Sequence, residues 1–157
     1  MIVMRKQYSW LILFLLVVLS GCAGKKAKRA RLEVLITAAR SYTGTPYKWG
    51  GTTRAGMDCS GLLLNSFKAI DYAIPRTSAA QSKTGKKVSK NSIQPGDLVF
   101  FATGNKKRKI THVGLVTEVR GGDHVKFIHA SSSLGVVESN LNSEYYQDRF
   151  RQARRIL

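Results

Sequence analysis

The chain has 157 residues, of which 43% are hydrophobic and 22% charged, and a formal net charge of +17. This length suits one domain with its own core and is too short for two, and the composition excludes a disordered chain. A charge this positive raises nucleic-acid binding as one interpretation, but it equally suits the polyanions of a cell envelope.

The N-terminus predicts an export signal. Arg5 and Lys6 precede an apolar run from Trp10 to Leu19, which is too short to span a membrane comfortably. We therefore expect residues 1–21 to be removed, and export argues against nucleic acid as a partner. The segment Leu19-Ser20-Gly21-Cys22 resembles a bacterial lipoprotein signal, which implies cleavage before Cys22 and lipid attachment to it. The alternative is a plain signal peptide that leaves Cys22 as a free thiol.

A lipid on Cys22 would have two consequences. The next residue is Ala23, not an aspartate, which implies the outer membrane, with the protein facing the periplasm. Residues 22–30 would then form a basic tether, which either binds an anionic surface or is simply solvated. The second cysteine, Cys59, would have no partner for a disulfide, which points to a reactive thiol.

Apolar periodicity predicts helices over residues 30–42, 59–70 and 77–84, with a long loop rich in Gly and Thr over 43–58. Turn residues then separate β-rich runs, which we expect at 98–102, 113–119, 125–129 and 136–139, with a last strand ending near Leu157. Gly121-Gly122-Asp123 predicts a turn between the second and third of these, and Asn105 to Lys109 an exposed basic hairpin loop. Helices followed by antiparallel strands predict an α+β domain over residues 31–157.

Cys59 is predicted at the first turn of the second helix, with Asp58 as its N-cap. A helix N-terminus stabilises a thiolate, so we expect a lowered pKa for this thiol. The same N–H groups can hold an oxyanion as it forms. Taken alone the signal is weak, because most unpaired cysteines are small buried hydrophobes.

Two histidines complete a candidate nucleophile, base and orienting group. His112 begins one predicted strand and His129 ends the next, so a turn between them would bring the two side chains level on neighbouring antiparallel strands. That arrangement would give a base, His112, oriented by His129. His124 falls in the turn and is expected to be inert.

Taken together, these patterns resemble the NlpC/P60 family of cell-wall cysteine peptidases over residues 32–157. The resemblance rests on six motifs in this order: Gly44-Thr45-Pro46-Tyr47-Lys48-Trp49-Gly50-Gly51, Asp58-Cys59-Ser60-Gly61, Pro75-Arg76-Thr77-Ser78 with Gln81, Pro95-Gly96-Asp97-Leu98-Val99-Phe100-Phe101, His112-Val113-Gly114, and His129-Ala130. Each motif is weak alone, and the ordered set is specific.

The resemblance implies a papain-like fold, with N-terminal helices packed on an antiparallel β-sheet. It also implies roles for individual residues: Cys59 as nucleophile, His112 as base, His129 as the group that orients His112, and Tyr47 as an oxyanion donor. Further family positions imply substrate binding by Asp58, Ser60, Ser78 and Arg76. Helix capping is the alternative for Asp58 and Ser78, a structural ion pair for Arg76, and loop packing for Tyr47.

The function implied is that of a peptidoglycan endopeptidase, which hydrolyses stem-peptide amide bonds next to D-glutamate or diaminopimelate. Two alternatives remain: transfer of the acyl group to an amine, and a wall-binding protein without activity. We expect a monomer in the cell envelope that needs no cofactor, and no metal, because the sequence has no His/Cys cluster at ligand spacing.

Overall fold

The structure is a computed structural model that describes residues 24–121 and 124–157. The predicted signal peptide, the lipid site Cys22 and the turn residues Gly122 and Asp123 lie outside the described residues. The chain divides into two units, and the boundary falls between Arg31 and Leu32. No helix in the described part of the chain is long and apolar enough to cross a membrane.

The first described helix, α1, covers residues 24–40. Its first part, up to Arg31, belongs to the first unit and is fully exposed. This segment was expected to be a tether because it lacks an apolar stripe, but it is rich in Ala, Lys and Arg, which favour helix without needing a partner face. In the second unit the predicted stripe is confirmed, since Leu35 and Ala39 are completely buried.

The loop after α1 folds onto the start of the next helix. It contains two short antiparallel strands, β1 (Thr52–Thr53) and β2 (Gly56–Met57). Helix α2 (Cys59–Lys68) follows, with Asp58 as the predicted N-cap. A side chain at Gly61 would place its Cβ only 2.3 Å from the Gly51 carbonyl oxygen, so glycine allows the loop to pack directly against the first turn of α2.

The third helix is shorter than predicted. Helix α3 covers Ser78–Gln81, and its N-cap is Thr77, whose hydroxyl accepts a hydrogen bond from the Ala80 N–H. The capping alternative considered for Ser78 is therefore wrong by one residue. Ser78 is the first residue inside the helix and its carbonyl accepts from the Ser82 N–H.

Six strands form one antiparallel sheet in the order β3-β8-β4-β5-β6-β7. The four predicted β-rich runs and the predicted last strand are all present in this sheet, in which the sequence pattern missed the short edge strand β3. A short helix, α4 (Glu144–Arg149), precedes the last strand. The strands are β3 (Lys86–Val88), β4 (Leu98–Phe101), β5 (His112–Arg120), β6 (His124–Ser131), β7 (Gly135–Asn140) and β8 (Phe150–Arg155).

The two faces of the sheet bury different layers. One face packs Leu98, Phe100, Leu115 and Ile128 against residues of α1 and α2, which confirms the α+β arrangement of N-terminal helices on an antiparallel sheet. The other face buries a second cluster that includes Val99, Phe101, Val116 and Phe127, with Tyr146 of α4 and Phe150 packed against it. This second, aromatic-rich layer surrounds the two histidines.

The predicted loop after β4 is confirmed, and a second turn precedes β4. Residues 103–109 between β4 and β5 are exposed. The Pro95-Gly96-Asp97 turn is structural, because the Asp97 carboxylate accepts from the Gln94 N–H at 2.8 Å and binds the Arg155 guanidinium through two hydrogen bonds of 2.7 and 2.8 Å.

Candidate active site

Cys59 is the first residue of α2 and is 6% exposed. Backbone N–H groups of Cys59 and Ser60 surround its sulfur, and the Val113 N–H reaches it from β5. Because Val113 follows His112 directly, the thiol lies at the start of the strand that carries the predicted base.

The pKa of Cys59 differs from the sequence expectation. Burial raises the pKa of the thiol to about 11, although the N–H groups of Val113, Ser60 and Cys59 act to lower it. The helix N-terminus therefore lowers the thiol pKa as predicted, but removal of the sulfur from water raises the pKa by more. The resting side chain is a neutral thiol, which needs a base at the moment of attack.

Asp58, Ser60 and Arg76 form a helix-side cluster next to Cys59. The Asp58 carboxylate accepts from the N–H groups of Gly61 at 2.7 Å and Gly50 at 2.9 Å, and from the Ser60 hydroxyl at 3.0 Å. Arg76 donates one hydrogen bond to each carboxylate oxygen, at 2.9 and 2.8 Å. Burial acts to raise the pKa of Asp58, but the bonds from Arg76, Gly61 and Ser60 hold it below its usual range.

Within this cluster the structural alternatives for two residues are observed directly. Asp58 caps α2, and Arg76 makes an ion pair, with its guanidinium also donating to the Ser60 hydroxyl at 2.9 Å. The Arg76 side chain is still 36% exposed. Arg76 lies 18 residues after Asp58 in the sequence, so the helix-start motif alone could not reveal the ion pair between them.

His112 and His129 meet as the sequence predicted. His112 Nε2 lies 3.0 Å from His129 Nδ1, and the two rings are edge-on. Burial lowers the pKa of His112 to about 4, and burial together with the neighbouring His112 lowers the pKa of His129 to about 3. Both imidazoles are therefore neutral near pH 7, and the hydrogen-bond partners of the pair determine which ring nitrogen carries each proton.

The glycine after His112-Val113 makes room for this pair. Leu115 pairs with Ile128, and continuing that register sets Gly114 opposite His129. A Cβ at Gly114 would lie 2.4 Å from the ring of Phe127, which stacks on His129 at a centroid distance of 4.9 Å. Glycine at this position thus seats the aromatic ring that supports His129.

Two polar residues that the sequence reading missed bind the far side of His129. Its Nε2 lies 2.9 Å from the Ser139 hydroxyl and 3.1 Å from the Tyr146 hydroxyl. Ser139 comes from β7 and Tyr146 from α4, which bring them to His129 from two different elements. We call His112, His129, Ser139 and Tyr146 the sheet-side cluster.

A cavity of about 340 Å³ opens next to the histidines. Its lining includes Tyr47, Trp49, His112 and His129, and Trp49 is 85% exposed at its rim. Burial raises the pKa of Tyr47, and the nearby Cys59 and Asp58 raise it further, so its hydroxyl keeps its proton and can donate. Among the described residues no group of three or more His, Cys, Asp and Glu could hold a metal ion.

Comparison with known proteins agrees with this geometry. Residues 44–155 match the NlpC/P60 family. The chain belongs to the NlpC/P60 family. The probable endopeptidase NlpC of Escherichia coli K12 is 40% identical over 156 residues, which cover 93% of this chain and 97% of that protein.

Two further relatives match most of the chain. The murein DD-endopeptidase MepS/murein LD-carboxypeptidase of Escherichia coli K12 is 38% identical over 74% of this chain and 58% of its own length. A solved NlpC/P60 family protein from Bacillus cereus superposes with a TM-score of 0.71 at 35% identity, over 80% of this chain and 40% of that one. The predictions of family and fold are thereby confirmed.

Proposed function

We propose that this protein is a peptidoglycan endopeptidase that hydrolyses stem-peptide amide bonds with Cys59 as nucleophile. The single observation that carries the proposal is the buried thiol of Cys59 at a helix start, reached by the N–H of the residue that follows His112. Membership of the NlpC/P60 family, and the names of relatives such as the murein DD-endopeptidase, support peptidoglycan as the substrate.

The reaction starts from a neutral pair. His112 takes the thiol proton on Nδ1 as the Cys59 sulfur forms a bond to the amide carbon, and the carbonyl oxygen becomes an oxyanion. Backbone N–H groups at the start of α2 and the Tyr47 hydroxyl would stabilise that charge, and the retained proton of Tyr47 supports this role. His112 then gives the proton to the leaving amine, the C–N bond breaks, and water hydrolyses the resulting thioester with His112 again as base.

Substrate recognition is proposed for the helix-side cluster and Ser78. The partly exposed Arg76 guanidinium leaves a cationic edge, which suits the carboxylates of acidic stem peptides near D-glutamate or diaminopimelate. Ser60 and Asp58 would add a hydroxyl and a carboxylate to the same wall, and Ser78 lies at the start of the helix that follows Arg76.

The proposal is tested by digesting purified muropeptides and identifying the products by mass spectrometry. Cys59→Ala should abolish peptide release, because no second nucleophile replaces the thiol. The same substitution of a buried small side chain outside the site, Ser66→Ala, serves as the matched control and should retain activity. Release of the same peptides by Cys59→Ala would refute the proposal, and products joined to an added amine would identify transfer instead of hydrolysis.

We further propose that a lipid on Cys22 holds the mature protein in the cell envelope, at the outer membrane. The support is the signal-like sequence that ends at Cys22, and the basic residues 25–31, each of which could add about 1 kcal/mol of attraction to an anionic surface. Cells grown with an alkyne-tagged fatty acid should label the wild type and Cys59→Ser but not Cys22→Ser. A Cys22→Ser protein that is still labelled and sediments with membranes would refute the anchor.

A further inference from the structure

The hydrogen-bonded chain that starts at His112 does not end at His129. His129 is 1% exposed, and its Nε2 contacts two hydroxyl oxygens at once, Ser139 Oγ at 2.9 Å and Tyr146 Oη at 3.1 Å. A buried polar atom needs one partner to avoid a desolvation penalty. Two partners at His129 Nε2 also restrict whether this nitrogen carries a proton.

That restriction follows from the number of lone pairs. An unprotonated Nε2 has one lone pair and accepts one good hydrogen bond, whereas an Nε2–H can be shared between two oxygen acceptors. Two hydroxyl oxygens within 3.1 Å therefore favour the tautomer of His129 with its proton on Nε2. Its Nδ1 is then an acceptor for the Nε2–H of His112, and His112 Nδ1 is free to act as base.

We propose that Ser139 and Tyr146 are positioning residues that fix the tautomers of His129 and His112. When His112 becomes an imidazolium, the same two hydroxyl oxygens accept more strongly from His129 Nε2–H, which spreads the positive charge along the hydrogen-bonded chain. The expected effect of Ser139 and Tyr146 on kcat rests on the proposed roles of Cys59 and His112, but the tautomer assignment does not.

Packing holds both partners of His129 in place. Phe127 stacks on His129, and Tyr146 meets the same Phe127 ring edge-on at a centroid distance of 4.8 Å. Burial raises the pKa of Tyr146, so its hydroxyl is neutral, and the hydrogen bond between the Tyr146 and Ser139 hydroxyls offers the Tyr146 proton an acceptor other than His129 Nε2. Ser139 lies opposite Phe127 in the β6–β7 register, which sets its hydroxyl on the His129 side of the sheet.

The first test is spectroscopic and needs no substrate. Nitrogen-15 NMR of protein labelled in its histidine rings distinguishes protonated from unprotonated ring nitrogens. The wild type should show Nε2 protonated and Nδ1 unprotonated in both His112 and His129, and the double variant Ser139→Ala/Tyr146→Phe should lose that pattern in His129. A wild-type His129 protonated on Nδ1 would overturn the proposal, whether or not Cys59 is the nucleophile.

The second test is kinetic. The double variant should lower kcat on the order of 10–100-fold, as loss of a supporting partner does around other sites, with KM changed less than about twofold. Each single variant keeps one acceptor and should lose less. Tyr72→Phe/Ser92→Ala removes the same atoms from the surface and should leave kcat unchanged. An unchanged kcat in the double variant, or an effect confined to KM, would overturn the proposal. If the double variant does not fold, the single variants Ser139→Ala and Ser139→Thr replace it, and only Ser139→Thr is expected to keep the kcat of the wild type.

Discussion

The helix-side cluster flanks Cys59 and the sheet-side cluster contains His112, yet the two accommodate burial in different ways. The Asp58 carboxylate keeps its charge because three groups of the loop and helix donate hydrogen bonds to it, the N–H groups of Gly50 and Gly61 and the Ser60 hydroxyl. Arg76 also binds both of its oxygens. His112 and His129 are uncharged because they pack against Phe101, Phe127 and Tyr146. Their hydrogen bonds are to each other and to hydroxyl groups, which are neutral partners.

The difference matches what each cluster has to do. A general base has to be unprotonated at the working pH, and removal from water achieves this for an imidazole. A helix cap has to remain an acceptor for backbone N–H groups, and an ionised carboxylate is the stronger acceptor. One site thus contains a fixed ion pair that shapes the loop and a neutral pair that can take up a proton.

This comparison predicts that the two clusters begin to lose their contribution to stability at different pH values. The folded pKa values of His112 and His129, about 4 and about 3, lie below the ordinary value of 6.5. Below pH 6.5 the unfolded chain binds protons on these rings that the folded chain does not, so the free energy of unfolding should fall as the pH decreases toward 4. The slope should approach about 1.4 kcal/mol per pH unit for each imidazole.

The measurement is urea denaturation at a series of pH values across this range, followed by far-ultraviolet circular dichroism. His129→Gln should reduce the slope, whereas His124→Gln, at a side chain that is 45% exposed, should not. The pKa of Asp58 is also lowered, but from an ordinary value of 3.8, so its contribution to the free energy of unfolding is present above that value and is lost only as the pH falls below it. Equal slopes in the wild type and His129→Gln would show that the histidine pair is not the neutral cluster described here.

Sequence patterns predicted the parts of this site that depend on local order. Cys59 at a helix start follows from Asp58 and the apolar spacing after it, and His112 beside His129 follows from two strands joined by a tight turn. The central strands were predicted for the same reason, since alternation and turn residues are local signals.

The remaining features depend on burial and on contacts between distant segments. The thiol pKa of Cys59 rises because the sheet covers it, which a helix-start motif does not reveal. Arg76 reaches Asp58, and Ser139 and Tyr146 reach His129, only after the chain has folded. Residues 24–30 were expected to be a tether because they lack an apolar face, but their Ala, Lys and Arg content favours a helix.

The smallest expected effect separates the helix-side ion pair from an ordinary surface pair. Arg76→Ala leaves the Asp58 carboxylate, whose side chain is 11% exposed, without its cation, and should lower the free energy of unfolding by about 1–2 kcal/mol. The loss should stay below the value for a fully buried pair, because the Arg76 side chain is 36% exposed and water can reach the vacated oxygens.

Arg40→Ala is the matched control. Arg40 binds Glu138 at 2.7 Å, but the two side chains are 46% and 26% exposed, so its loss should cost less than about 1 kcal/mol. Chemical denaturation of both variants at neutral pH, with and without added salt, measures the difference. Added salt should weaken the Arg40 pair more than the Arg76 pair, because the latter is better shielded from solvent. Equal costs and equal salt dependence would mean that Asp58 is held by its backbone and Ser60 hydrogen bonds alone, and that Arg76 is available to bind substrate rather than to stabilise the fold.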